Sequence, residues 1–80
     1  MIEVQFYGVL QEVAGQRSMA LPLGSAAPVA EVLEQLQGQL PGLAQHLPRL
    51  ACAVDDRIVP RNHIIHPGDT LALLPPVSGG

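Results

Sequence analysis

The sequence predicts an α+β fold, a small sheet with one helix packed across one of its faces. Three observations carry this reading. Ile2, Val4 and Phe6 alternate with Glu3 and Gln5, the period-2 mark of a half-buried strand. Val29, Val32, Leu33, Leu36 and Leu40 recur at helical spacing. Several short apolar runs separated by turn residues then follow, the pattern of a single small domain. Eighty residues leave no room for a second one.

The first strand ends near Gly8, and Gly8 and Gly15 bracket a connecting segment. Met19, Leu21 and Leu23 alternate against Ser18, Ala20 and Pro22. Pro22 places this second strand at a sheet edge, because a proline cannot donate to an inner ladder. Two strands so close in sequence predict a hairpin with a longer loop. The helix runs from about Pro28 to Leu40, with Pro28 in the first turn, where its missing N–H costs nothing. Ser25 is a candidate cap, and Pro41-Gly42 ends the helix. Burying the five stripe residues contributes about 10 kcal/mol gross, at ~2 kcal/mol each. Leu43, Leu47 and Leu50 predict a further short helical turn, weakened by Pro48. Ala51–Val54 reads as a strand, Asp55-Asp56 as a turn, and Ile58-Val59 and Ile64-Ile65 as brief strands. His66-Pro67-Gly68-Asp69 is a second turn, and Thr70–Leu74 is the last strand.

Composition excludes several functions. The net charge is −3, with seven acids against four arginines and no lysine. Nothing basic clusters, and the only aromatics are Phe6 and Tyr7, which argues against nucleic acid. A mildly acidic chain suits a basic protein surface instead. Without lysine the chain has no side-chain amine for a Schiff base or for an isopeptide bond to its own kind. No apolar run approaches the ~20 residues needed to span a bilayer. The N-terminus lacks a basic stretch followed by an apolar core, so no secretion signal is expected and the protein is expected in the cytoplasm.

Catalytic constellations are thin. A single cysteine, Cys52, excludes an internal disulfide. It lies in an apolar run with no cationic neighbour in sequence, so it is expected to act as a small buried hydrophobe. His63 and His66 form a weak metal pair at best. On a strand, adjacent Asp55 and Asp56 would point to opposite faces and could not work as a paired acid and base. No phosphate-binding loop, nucleophile elbow or zinc-finger spacing occurs. The chain is not expected to be an enzyme by itself.

The C-terminal end is more specific: Leu73-Leu74-Pro75-Pro76-Val77-Ser78-Gly79-Gly80. At average composition a terminal glycine pair arises in about one chain in 200. Two glycines make the thinnest peptide that can carry a carboxylate down a narrow channel. Pro75 and Pro76 fix φ and donate no hydrogen bond, so they end the strand and start the tail stiffly. An idle end is the plain alternative.

The order of elements resembles the ubiquitin-like β-grasp fold, a mixed sheet with one main helix. The two ends resemble the small subunit of molybdopterin synthase, in the MoaD/ThiS-like family of sulfur carriers. Phe6-Tyr7-Gly8-Val9-Leu10-Gln11-Glu12-Val13-Ala14-Gly15 is similar to that family's segment of Phe, aromatic, small residue, then Leu-Arg-Glu and Gly. Pro67-Gly68-Asp69 with the strand and Pro75-Pro76-Val77-Ser78-Gly79-Gly80 is similar to its ending, and Pro28–Leu33 to its helix start. Gln11 stands where the family usually has Arg, and Leu74 where an aromatic often precedes the prolines.

The resemblance implies a β-grasp domain over residues 1–74 and a flexible tail over 75–80. It implies a carrier whose Gly80 carboxylate is adenylated with ATP by an E1-like enzyme. Sulfur from a persulfide donor then leaves a thiocarboxylate, which builds the dithiolene on cyclic pyranopterin monophosphate. Gly79 and Gly80 are the reacting end, and Leu73, Leu74, Pro75, Pro76, Val77 and Ser78 are expected to dock on a large subunit, two copies of each. The carrier itself binds no cofactor or metal in this account. A carrier for thiamine or tRNA thiolation, a ubiquitin-like protein modifier and a plain interaction module remain the alternatives.

Overall fold

The computed structural model describes residues 1–76. Ten short elements follow one another: β1 (Ile2–Phe6), α1 (Val9–Ala14), β2 (Ser18–Leu21), β3 (Ala27–Pro28), α2 (Val29–Gln39), a 3₁₀ turn (Pro41–Leu43), β4 (Ala51–Val54), β5 (Arg57–Val59), β6 (Ile64–Ile65) and β7 (Thr70–Leu74). Five strands form one sheet in the order β2-β1-β7-β4-β5, and β3 and β6 form a separate two-stranded pair. β1 and β7 are parallel, with Val4 opposite Leu71 and Phe6 opposite Leu73. Every other pairing is antiparallel, so the sheet is mixed.

Period-2 alternation decides which face each strand buries. Ile2, Val4 and Phe6 of β1, Leu71 and Leu73 of β7, and Cys52 and Val54 of β4 point inward. They meet Val29, Val32, Leu33 and Leu36 of α2 in one core. Among the described residues no polar or charged side chain is buried. The expected hairpin of β1 and β2 is present, and β2 with its following Pro22 lies at the sheet edge.

Several local expectations are corrected. The segment between Gly8 and Gly15 contains a six-residue helix, α1, rather than a plain connection. Its start is the Gly8 turn and its end is Gly15 in the left-handed region at φ 75°. Pro28 is the N-cap of α2, not its first helical residue, because it is extended (φ −70°, ψ 152°) and paired with Ile64. Ser25 makes no cap. The first amides of α2 are satisfied by backbone instead, Val29 N–H donating to His63 O and Ala30 N–H to Arg61 O, both at 2.9 Å. Leu40 closes α2 as its half-buried C-cap.

The Asp55-Asp56 turn has φ of 53° and 62°, positive at both central residues as a two-residue hairpin turn demands. At the other expected turn, Asp69 Oδ2 accepts from the His66 amide at 2.9 Å. No described helix is long and apolar enough to cross a membrane.

Candidate functional site at the base of the C-terminal tail

β7 is the middle strand of the sheet, hydrogen-bonded to β1 on one side and β4 on the other. The last strand is therefore held on both sides, with the tail beginning at its end. The β4 pairing runs to the last strand residue, Leu74, which lies opposite Ala51. On the β1 side Tyr7 N–H donates to Leu73 O at 3.2 Å, one step beyond the Phe6–Leu73 pair. Pro75 then ends the ladder because it has no N–H to give. It is half-buried, and Pro76 is exposed.

Leu73 is corrected as a docking residue. It is 0% exposed and belongs to the core, because it shares the inward phase of β7 with Leu71. Leu74, on the outward phase, and Pro75 are partly exposed. Val77, Ser78, Gly79 and Gly80, the rest of the expected site, lie outside the described residues.

The sheet face opposite α2 is open beside the tail. It carries Tyr7, 44% exposed, and Ile58, 67% exposed, with the small Ala53 and Ala72 between them. Tyr7 OH donates to Gln5 Oε1 at 3.1 Å, and Gln5 Nε2 donates to Glu3 Oε2 at 2.7 Å. A shallow hollow of about 220 Å³ lies between Tyr7 and the Asp55-Asp56 turn, floored by Ala53 and Ala72. This face is apolar at its centre and acidic at its rim, which suits a protein surface with basic groups. Tyr7 and Ile58 were not among the expected docking residues. Continuing the β1 alternation by one residue puts Tyr7 outward, and pairing Ile58 with Ala53 puts it on the same face.

Cys52 is buried, as expected, but it does have a cationic neighbour. Arg61 Nη1 donates to Cys52 Sγ at 3.0 Å. Burial pushes the Cys52 thiol above its ordinary value, and the Arg61 guanidinium opposes that without reversing it. A protonated, buried thiol is a poor nucleophile. Among the described residues no three His, Cys, Asp or Glu side chains come together to hold a metal ion.

A β-grasp domain whose central strand leads directly into a proline-stiffened tail belongs to the class of ubiquitin-like proteins. The comparisons narrow this further. The model of the ThiS family matches residues 4–80, and the chain belongs to that family. It is 28% identical over 80 residues to the molybdopterin synthase sulfur carrier subunit of Mycobacterium tuberculosis, covering 99% of this chain and 96% of that one. Among solved structures it is similar to SAMP1 from Haloferax volcanii, with a TM-score of 0.85 and 29% identity, covering 99% of this chain and 98% of that chain. It is also similar to a chain in the complex of subunits 1 and 2 of the molybdopterin-converting factor from Helicobacter pylori, with a TM-score of 0.68 and 26% identity over 99% of this chain and 97% of that one. The β-grasp fold and the small-subunit resemblance read from the two ends of the sequence therefore hold along the whole chain.

Proposed function

We propose that this protein is a sulfur carrier that works as the small subunit of a molybdopterin synthase. The observation that supports it most is the family match, which continues through Gly79-Gly80, joined to a tail base held at the centre of the sheet. In this reading the Gly80 carboxylate attacks the α-phosphate of ATP on an E1-like enzyme and releases pyrophosphate. A donor persulfide then attacks the acyl carbon and AMP leaves. A second thiol cleaves the acyl persulfide, leaving a C-terminal thiocarboxylate and a donor disulfide. Ionised at neutral pH, the thiocarboxylate is the soft nucleophile that delivers sulfur to cyclic pyranopterin monophosphate within the large subunit. Because the dithiolene needs two sulfurs, the assembly is two small and two large subunits. Gly80 is a reactant in this scheme, and the large subunit supplies the catalytic groups.

The open sheet face supports the partner reading. Tyr7, Ile58 and Leu74 share this face, and Leu74 leads directly into Pro75 and Pro76, so docking there feeds the tail toward the same partner. A second reading, a protein modifier conjugated through Gly80 to a target lysine, is favoured by the likeness to SAMP1. Intact-mass analysis of the native protein separates them. The carrier shows one sulfur in place of one oxygen at the C-terminus, and appending a residue after Gly80 abolishes that exchange without unfolding the domain. Protein adducts in place of the exchange would favour the modifier, and neither product would leave an idle tail.

A further inference from the structure

Gly8 lies where β1 gives way to α1, at φ 58° and ψ −137°. This is the mirror image of an ordinary extended residue, and only glycine adopts it without strain. The turn is closed by Leu10 N–H donating to Tyr7 O at 3.1 Å, and by Gln11 N–H donating to Gly8 O at 3.0 Å. Turn geometry alone would therefore account for a glycine. A second constraint is independent of it. A Cβ on Gly8 would stand 2.8 Å from Cγ of Pro75, a separation that real Cβ atoms essentially never show. Just before this contact the two segments are tied together by the Tyr7 N–H to Leu73 O bond. Neither can slide away from the other cheaply.

We propose that Gly8 is a positioning residue for the C-terminal tail: its bare Cα lets the Pro75 ring lie against the β1 exit and so fixes the direction in which the tail leaves the sheet. This rests on the sulfur-carrier reading, since the direction matters only if Gly80 must reach an active site in another protein. Two successive fixed φ angles carry a direction set at Pro75 through Pro76 instead of losing it within one residue. A side chain at position 8 would push the ring aside. A displacement of about 1 Å at a reacting group is enough to cost on the order of 100-fold in rate. Gly8 touches no reacting atom and acts only through Pro75.

A double-mutant cycle with Gly8→Ala and Pro75→Ala isolates this contact, because the backbone strain at position 8 is the same with and without the ring. The rate read is single-turnover adenylation of the wild-type and variant carriers by the E1-like enzyme with ATP. Gly8→Ala is expected to slow adenylation at least about fivefold at saturating enzyme, but less than about twofold when Pro75 is already alanine. The fall in melting temperature is expected to be larger with Pro75 present, because the backbone strain at position 8 is common to both backgrounds and the contact with the ring is not. In the wild-type protein, nuclear Overhauser effects should connect Gly8 Hα to the Pro75 ring protons. Equal rate losses in the two backgrounds, or absent Overhauser effects, would overturn the proposal. Should Gly8→Ala not fold, Pro75→Ala leaves the Gly8 turn intact. It is expected to keep the melting temperature while slowing turnover at saturating enzyme about threefold, and an unchanged rate would again overturn the proposal. A wild-type carrier that is never adenylated defeats the carrier reading instead, while the Overhauser effects decide the Gly8–Pro75 contact on their own.

Discussion

The Arg61 guanidinium reaches the Cys52 sulfur at 3.0 Å while its other nitrogen donates to the carbonyls of Leu47 and Leu50, at 2.6 and 2.9 Å. One side chain therefore joins the loop before β6 to the turns that follow α2 and to the middle of β4. Those turns have no sheet partner. Without Arg61 the two carbonyls would have to find water at the edge of the core, next to buried Leu50.

Replacing Arg61 by methionine keeps an apolar stem and removes every donor. The expected loss is about 2 kcal/mol, the usual scale for stranding acceptors of a charged donor. For a domain of this size that lowers the melting temperature by roughly 10 °C. Arg61→Lys is expected to recover less than half, since one ammonium on a flexible stem cannot span the acceptors that the fork reaches together. Thermal unfolding by circular dichroism checks both, and a lysine variant as stable as wild type would contradict the clasp.

The raised Cys52 pKa has a definite sign in the stability curve. Above its ordinary value of 9.0 the unfolded chain releases the thiol proton while the folded chain keeps it. The stabilisation is complete below that pH and is lost as pH rises through the folded pKa. Urea midpoints should therefore fall between pH 8 and pH 10. Cys52→Ala is expected to lower the curve below pH 8 and to remove this part of the slope, so that the two curves converge as pH rises. Parallel declines in the two proteins would show that another group titrates.

Where the sequence had a long enough period, it was readable. β1, β2, β7 and α2 rest on alternation or a helical stripe that continues for several residues; β1, β7 and α2 lie within a residue of their expected places, and β2 ends at Leu21, two residues short of Leu23. α1 was missed because six residues hold too few turns to show a period, and glycines rather than apolar spacing mark its ends. β3 was missed because a proline occupies half of it. Leu73 was misassigned through its position next to the prolines, although the alternation with Leu71 already pointed it inward. The Arg61–Cys52 contact depends on how β4 meets the loop before β6, and no local pattern encodes that. Of the tail itself, Pro75 and Pro76 are placed by the fold, and the glycines lie beyond the described residues.

The hairpin between β4 and β5 offers a gain in stability. Asp56 has φ 62°, a conformation that aspartate tolerates and glycine adopts freely. Asp56→Gly is expected to stabilise the domain by ~0.5–1 kcal/mol, following the preference for glycine in such turns. Asp56→Val is expected to destabilise it by ~1–2 kcal/mol, because a β-branched residue is poorly accommodated there. Melting temperatures moving in the same direction for both variants would argue against the turn geometry.

Ile58 tests the docking face apart from the fold. It is 67% exposed, so Ile58→Ser should change stability by no more than ~0.5 kcal/mol. If the large subunit covers the open face, burial of this side chain contributes about 2 kcal/mol to the complex. Its loss then weakens binding at least about tenfold. Calorimetric titration of the large subunit with each carrier reads the difference directly, and equal affinities would remove this face from the interface.

The parallel pairing of β1 with β7 makes the first strand of the chain wait for the last. Until Thr70–Leu74 is available, β1 and β2 have nothing to join them to β4 and β5, and the core face is split in two. Contacts so distant in sequence form late, after a large loop has closed. A chain cut short before Thr70 therefore lacks the strand that unites the sheet. The domain can become compact only when the strand that bears the tail has been made, so unfinished chains are not folded competitors for the enzymes that would read it.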